Sequence, residues 1–165
     1  MSQLILVRHG KSAWDSPALA DHERPLKHRG EEDSERLGQW LLEGGWLPDR
    51  VLCSPARRTR QTWELLGASW PQLPPVEYDA ALYLGERPTL MAAVHGALAE
   101  GAHRVMLIGH NPGISDLLIQ CLRADGTGRE MKTAHCAVLE LAANGEALEP
   151  GSARLLAYWS PRGEE

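Results

Sequence analysis

The stretch Leu4-Ile5-Leu6-Val7-Arg8-His9-Gly10 decides how the rest of the chain is read. Four apolar residues, two of them β-branched, run without polar interruption into Arg-His-Gly. A short continuous apolar run of this kind predicts a strand buried on both faces, and the glycine marks where it turns out into a loop. Arg8 and His9 then stand at the carboxyl end of a core strand, where open α/β sheets place their ligands. A permanent cation beside a group that can act as a nucleophile points to phosphate chemistry. The plainer reading is a salt-bridged arginine and a half-buried histidine at a strand end. More of the chain is needed to choose.

Working outward, the same syntax recurs twice. Arg50-Val51-Leu52-Cys53 reads as a second core strand and leads into Ser54-Pro55-Ala56-Arg57. Serine before proline predicts a helix start, with the Ser54 hydroxyl capping free N–H groups and Pro55 at the first helical position. Arg57 is thereby expected in the first helical turn, where the helix dipole also favours an anion. Arg104-Val105-Met106-Leu107-Ile108 is the third such strand, followed by Gly109-His110-Asn111-Pro112-Gly113, with Asn111 as the cap and Pro112 opening the helix.

Between these units, Lys11 to Leu26 is a polar loop of functional length. A helix is expected from about Lys27 to Leu42, with Leu37, Trp40 and Leu41 at i, i+3, i+4 spacing and Gly44-Gly45 as the stop. The helix after Ser54 continues through Thr62, Trp63, Leu65 and Leu66. Ser69 to Pro75 is a linker, Val76 to Tyr78 a short edge strand, and Pro88 to Glu100 a further helix. Ile114, Leu117, Leu118 and Cys121 form the stripe of a helix ending near Arg123. His135 to Leu141 and Arg154 to Trp159 read as two strands joined by an Asn144-Gly145 turn. Strands alternating with helices predict an α/β sandwich around a mostly parallel central sheet.

At 165 residues the chain is expected to be a single domain, residues 1–165. Hydrophobic residues at 43% and charged residues at 24% are ordinary for a soluble globular protein. The 17 basic and 22 acidic residues leave a formal charge of −5, which argues against a general nucleic-acid binder. Three cysteines without a CxxC pair fit a reduced, cytoplasmic compartment. The start, Met1-Ser2-Gln3, has no basic region, and the apolar run that follows is too short for a signal peptide or a membrane span. The seven histidines include no HxxxH or HExxH spacing, so no metal site is expected. No P-loop or GxGxxG suggests a cofactor. Nothing in the sequence sets an oligomeric state.

If the three core strands are parallel, Arg8-His9, Arg57 and His110 lie at one edge of the sheet. Two arginines and two histidines converging there suit a dianionic phosphoryl group. Arginine binds phosphate oxygens in bidentate fashion, and a neutral histidine can attack phosphorus in line. Ser12 and Asn111 are candidate hydrogen-bond donors to phosphate, although capping explains Asn111 equally well. Lys11, Arg24 and Lys27 either line the entrance or are surface charge.

Leu-Val-Arg-His-Gly, Ser-Pro-Ala-Arg-x-x-x-Gln-Thr (residues 54–62) and Gly-His-Asn-Pro-Gly (residues 109–113) resemble the three motifs of the histidine phosphatase superfamily. That superfamily includes cofactor-dependent phosphoglycerate mutases and acid phosphatases. Lys11-Ser12-x-Trp14-Asp15, Asp21-His22-Glu23-Arg24-Pro25-Leu26 and Gly-His-Asn-Pro resemble its SixA-type phosphohistidine phosphatase branch. The resemblance implies a phosphoglycerate mutase-like three-layer sandwich. It also implies His9 as nucleophile, with Arg8, Arg57 and His110 in the phosphate pocket. The arginines supply the positive charge, so no metal or other cofactor is implied.

One departure bears on the substrate. Mutase-like relatives carry a glutamate in mid-chain that protonates the leaving oxygen, whereas this chain has Ala81-Leu82-Tyr83-Leu84 at the nearest equivalent. Asp79, Glu77, Asp21 and His22 are the candidate substitutes. The early loop differs too, with Asp15 where those relatives tend to have Asn, and Lys11 where they have Glu or Gln. An alkoxide leaving group, with a conjugate acid near water's pKa of about 15.7, needs a proton donor. An imidazole, with a pKa of roughly 6.5, departs with far less help. The expectation is therefore a phosphatase that works through a phosphohistidine intermediate and acts on phosphohistidine in a protein. The alternatives are a small-molecule phosphomonoesterase or mutase, and a non-catalytic phosphate-binding module.

Overall fold

The apolar runs are strands because their side chains alternate between two buried faces. In β1 (Gln3–Arg8), Leu4 and Leu6 enter one core and Ile5 and Val7 the other. The computed structural model describes residues 2–14, 18–123, 130–142 and 148–163. The other strands are β2 (Arg50–Cys53), β3 (Val76–Tyr78), β4 (Arg104–Gly109), β5 (Cys136–Glu140) and β6 (Arg154–Trp159). They form one sheet in the order β3-β2-β4-β1-β5-β6. The pairs β2–β3, β2–β4 and β1–β4 are parallel, whereas β5 runs antiparallel to β1 and β6 antiparallel to β5. The Asn144-Gly145 turn expected between the last two strands lies outside the described residues.

Helices cover both faces. On one side α1 (His28–Glu43) and α2 (Arg57–Gly67) pack Leu37, Leu41, Trp63 and Leu66 against Ile5, Val7, Val51 and Ile108. On the other, α3 (Arg87–Ala99) and α4 (Gly113–Leu122) pack Leu90, Val94, Ile114 and Leu117 against Leu4, Leu6, Leu52 and Leu107. This is the expected three-layer α/β sandwich. All three cysteines are free and buried, and Cys53 and Cys136 share the first core while Cys121 sits in the second.

Strand register sets the site. Arg8 pairs with Gly109 across β1 and β4, and Cys53 pairs with Ile108 across β2 and β4. The next residues along the chain, His9, His110 and Ser54, therefore emerge together at one sheet edge.

Both expected helix caps are corrected. Helix α2 begins at Arg57 with Ala56 at its N-cap and no side-chain cap. Ser54 Oγ accepts from the Ala56 N–H just ahead of the helix, at 3.4 Å, and lies 2.7 Å from His110 Nε2, because the strand ends set these two buried side chains beside each other. Helix α4 begins at Gly113, again without a side-chain cap. Asn111 Oδ1 accepts from Ser115 Oγ at 2.6 Å and its Nδ2 donates to the Met131 carbonyl at 2.8 Å, tying the turn to the segment before β5.

Candidate functional site

The edge shared by β1, β2 and β4 opens into a cleft of about 290 Å³. His9 follows β1 directly and is buried on its floor. Its Nδ1 lies 2.7 Å from the Gly10 carbonyl oxygen. A carbonyl only accepts, so Nδ1 carries the proton and the lone pair is on Nε2. Burial, reinforced by the charges of Arg58, Arg8 and Arg24, lowers the His9 pKa to about 3 against a single raising contact from Gly10. The ring is thus neutral near pH 7, which is the form that can attack phosphorus.

The turn after His9 is held by close approach. A Cβ on Gly10 would stand 2.7 Å from the Gly30 carbonyl in the first turn of α1, so only glycine lets the loop press against that helix. Its N–H donates to Thr62 Oγ1 at 3.1 Å. His9 is therefore held against two helices as well as the sheet.

His110 follows β4, and its ring centroid is 5.3 Å from that of His9. Burial, with the neighbouring His9 and Arg58, lowers its pKa to about 3. Arg8 also lines the cleft and donates to the Met131 carbonyl at 3.3 Å. Burial and the Arg58 charge pull its pKa below the usual value, against Glu130, but a guanidinium stays charged in proteins.

The second arginine of the cleft is Arg58, which corrects the assignment of Arg57. Arg58 is 2% exposed, and its two terminal nitrogens donate to the Asp21 carbonyl at 2.7 Å and to Asp21 Oδ2 at 3.0 Å. Arg57 points out of the cleft and reaches only the Glu23 carbonyl at 3.4 Å. The reason is helical geometry. Residues four apart share a face, so the buried Thr62 and Leu66 put Arg58, not Arg57, on the inward stripe. That spacing is a signal the sequence itself carries.

Arg24 is a third cation at the cleft, buried although its position allowed a surface role. It donates to Asp21 Oδ1 at 3.0 Å and to Ser12 Oγ at 2.8 Å. Asp21 thus braces Arg24 and Arg58 at once and also accepts from the Tyr83 hydroxyl. Burial pushes the Asp21 carboxyl up, but the hydrogen bonds from Tyr83, Arg58 and Arg24 outweigh it and hold the pKa below the ordinary carboxylate range. Tyr83 also stands edge-on to His110, with centroids 5.5 Å apart. Neither Tyr83 nor this bracing role of Asp21 was legible in the sequence, because they depend on contacts 62 and 37 residues apart.

Ser12, Asn111 and Lys11 line the cleft, with Ser12 engaged by Arg24, whereas Lys27 does not line it. The candidate proton donors fare differently. Asp79 accepts from the Ala81 N–H, Glu77 is exposed on β3, and His22 pairs with Glu23 and packs on Tyr83. Among the described residues Asp21 is the carboxylate of the cleft lining, and it is held ionised. Three buried polar side-chain atoms lack a hydrogen-bond partner among the described residues: Arg8 Nε, Arg58 Nε and His110 Nδ1. All belong to residues lining this one cleft.

Two histidines at the ends of parallel strands, flanked by an arginine from β1 and one from α2, define a class, and comparison with known proteins bears it out. Residues 4–83 match the model of the histidine phosphatase superfamily, branch 1. The chain belongs to the histidine phosphatase superfamily, on its SixA-type branch. An uncharacterised protein of Mycobacterium tuberculosis is 32% identical over 164 residues, covering 94% of this chain and all of that one. Phosphohistidine phosphatase SixA of Escherichia coli is 29% identical over 127 residues, covering 72% of this chain and 73% of that one. The structure of the protein histidine phosphatase SixA complexed with tungstate superposes with a TM-score of 0.81 at 27% identity, covering 97% of each chain.

Proposed function

We propose that this chain is a phosphatase that removes the phosphoryl group from phosphohistidine in a protein, with His9 as the covalent carrier. The observation that carries the reading is the neutral His9 ring, with Nδ1 donating to the Gly10 carbonyl and Nε2 left as the nucleophile, among Arg8, Arg58 and His110. Arg8 and Arg58 bind the phosphoryl oxygens and stabilise the charge that builds on them in the transition state. His9 Nε2 attacks phosphorus, the Nε2–P bond forms, and the P–N bond of the substrate breaks. An imidazole already protonated on its far nitrogen departs neutral, so this step asks for no acid. Water then attacks the phosphorus on His9, releasing phosphate and restoring the free ring.

The choice of a phosphoramidate over an ester rests on the carboxylates. Asp21 is held ionised by two arginines and a tyrosine, and an ionised carboxylate does not donate a proton to a leaving alkoxide. The SixA relatives, one named for phosphohistidine and one holding tungstate, a tetrahedral oxyanion like phosphate, support the same reading.

The test is phosphate release from a phosphohistidine protein beside a panel of phosphomonoesters, each with wild type and His9→Ala. Faster His9-dependent release from phosphohistidine is expected, along with an acid-labile, alkali-stable phosphate on the wild-type protein. Preferential ester hydrolysis would move the function to a phosphomonoesterase. Turnover that survives in His9→Ala would remove the carrier role.

A further inference from the structure

Two large apolar side chains stand at a cleft otherwise walled by polar and charged ones. Trp14 is 71% exposed and Leu84 is 50% exposed, and both line the cleft with Arg8, Arg24 and Arg58. A phosphoryl group has no use for either. Their exposure is also not slack packing, because each is held in place. The Arg24 guanidinium carbon lies 3.4 Å from the Trp14 ring centroid. Arg24 is itself pinned by Asp21, by Ser12 and by the Ala13 carbonyl, so the indole rests on a fixed platform. Leu84 has a φ of 51°, in the left-handed region that a bulky residue seldom adopts. The turn around it is closed by Tyr83 N–H donating to the Ala80 carbonyl and Gly85 N–H to the Leu82 carbonyl, both at 3.2 Å.

An exposed apolar surface at the mouth of a charged cleft gains free energy only when a partner covers it. The part of the substrate that extends away from the phosphoryl pocket is the leaving group. An indole prefers a planar ring, against which it can stack or stand edge-on. We propose that Trp14 and Leu84 clamp the departing group, with the Trp14 indole packed on a planar ring, so that they set the preference for the imidazole of phosphohistidine over a ringless phosphate. This specificity role rests on the phosphohistidine reading above and names the residues that select within it.

The test compares kcat/KM within two substrate pairs, phosphohistidine against phosphoramidate and phenyl phosphate against methyl phosphate. Each is measured for wild type, Trp14→Ala, Trp14→Phe and Leu84→Ala. In Trp14→Ala the ratio of ring-bearing to ringless substrate is expected to fall about tenfold, the upper end of what an aromatic pair contributes, and mainly through KM. Trp14→Phe restores most of the ratio, and Leu84→Ala lowers it in the same direction. An unchanged ratio overturns the clamp: equal losses on both members would mean that Trp14 only braces Arg24. Turnover of the ringless substrates reports that each variant is folded. If wild type prefers esters, the phosphohistidine reading fails while the phenyl and methyl pair still tests the clamp.

Discussion

Arg58 is 2% exposed and held by Asp21, while Arg57, one position earlier, reaches only the carbonyl of Glu23 at the surface. The difference assigns them different work. Arg58→Ala removes a charged donor from the cleft proposed to bind the phosphoryl group and is expected to lower kcat/KM by about a hundred- to a thousandfold, the scale of losing one such donor. Arg57→Ala is expected to stay within about twofold, since an exposed contact of this kind contributes little. Steady-state kinetics of the two variants side by side decide the matter, and equal losses would reject it. Phosphate inhibition adds a second readout, with the inhibition constant rising in Arg58→Ala only.

At the scale of elements, the site depends on how closely α1 approaches its neighbours. A Cβ on Gly38 would stand 2.2 Å from the carbonyl oxygen of Leu66 in α2, and that oxygen belongs to backbone that cannot swing aside. The Gly38 carbonyl also accepts from Trp70 Nε1 at 3.0 Å. Gly38→Ala therefore forces α1 and α2 apart and is expected to cost about 1–3 kcal/mol, although alanine is the better helix former. Urea unfolding measures it, and a midpoint at or above wild type would show that the helices give way freely. Helix α2 carries Arg58 and also Thr62, which anchors Gly10 beside His9. A loss of activity larger than the loss of folded protein is expected to accompany the change.

Across the whole molecule, the buried site makes stability depend on pH. In the unfolded chain an imidazole takes up a proton as pH falls through about 6.5. Folded His9 and His110 do so only near pH 3, because burial and the neighbouring arginines oppose a further charge. Between these values the unfolded state binds more protons, so folding stability falls as pH drops from about 6.5 toward 3, by up to about 1.4 kcal/mol per pH unit for each histidine. Asp21 adds to this lower down, since its depressed pKa stabilises the fold above the ordinary carboxylate range and is lost as pH falls through it. Urea midpoints at pH 7, 5.5 and 4.5 are expected to decline for wild type and to decline less steeply for His110→Gln. Parallel slopes in the two proteins would place the proton uptake elsewhere.

The sequence by itself determined the strands and helices, the edge of the sheet that carries chemistry, and the residues His9, Arg8 and His110 that meet there. Apolar runs ending in polar residues declare buried strands, and the order of elements makes three of those strands parallel. Tertiary structure decided which arginine joins them, what Ser54 and Asn111 bond to, and which ring nitrogen of His9 is free. Each of these turns on a contact between distant segments. Ser54 meets His110 as well as the Ala56 N–H, Asn111 meets Met131 and Ser115, and Asp21 draws Arg24, Arg58 and Tyr83 into one network. Local pattern sets where a side chain is attached along an element, whereas its partner is chosen by whatever the fold brings within about 3 Å, the reach of a hydrogen bond.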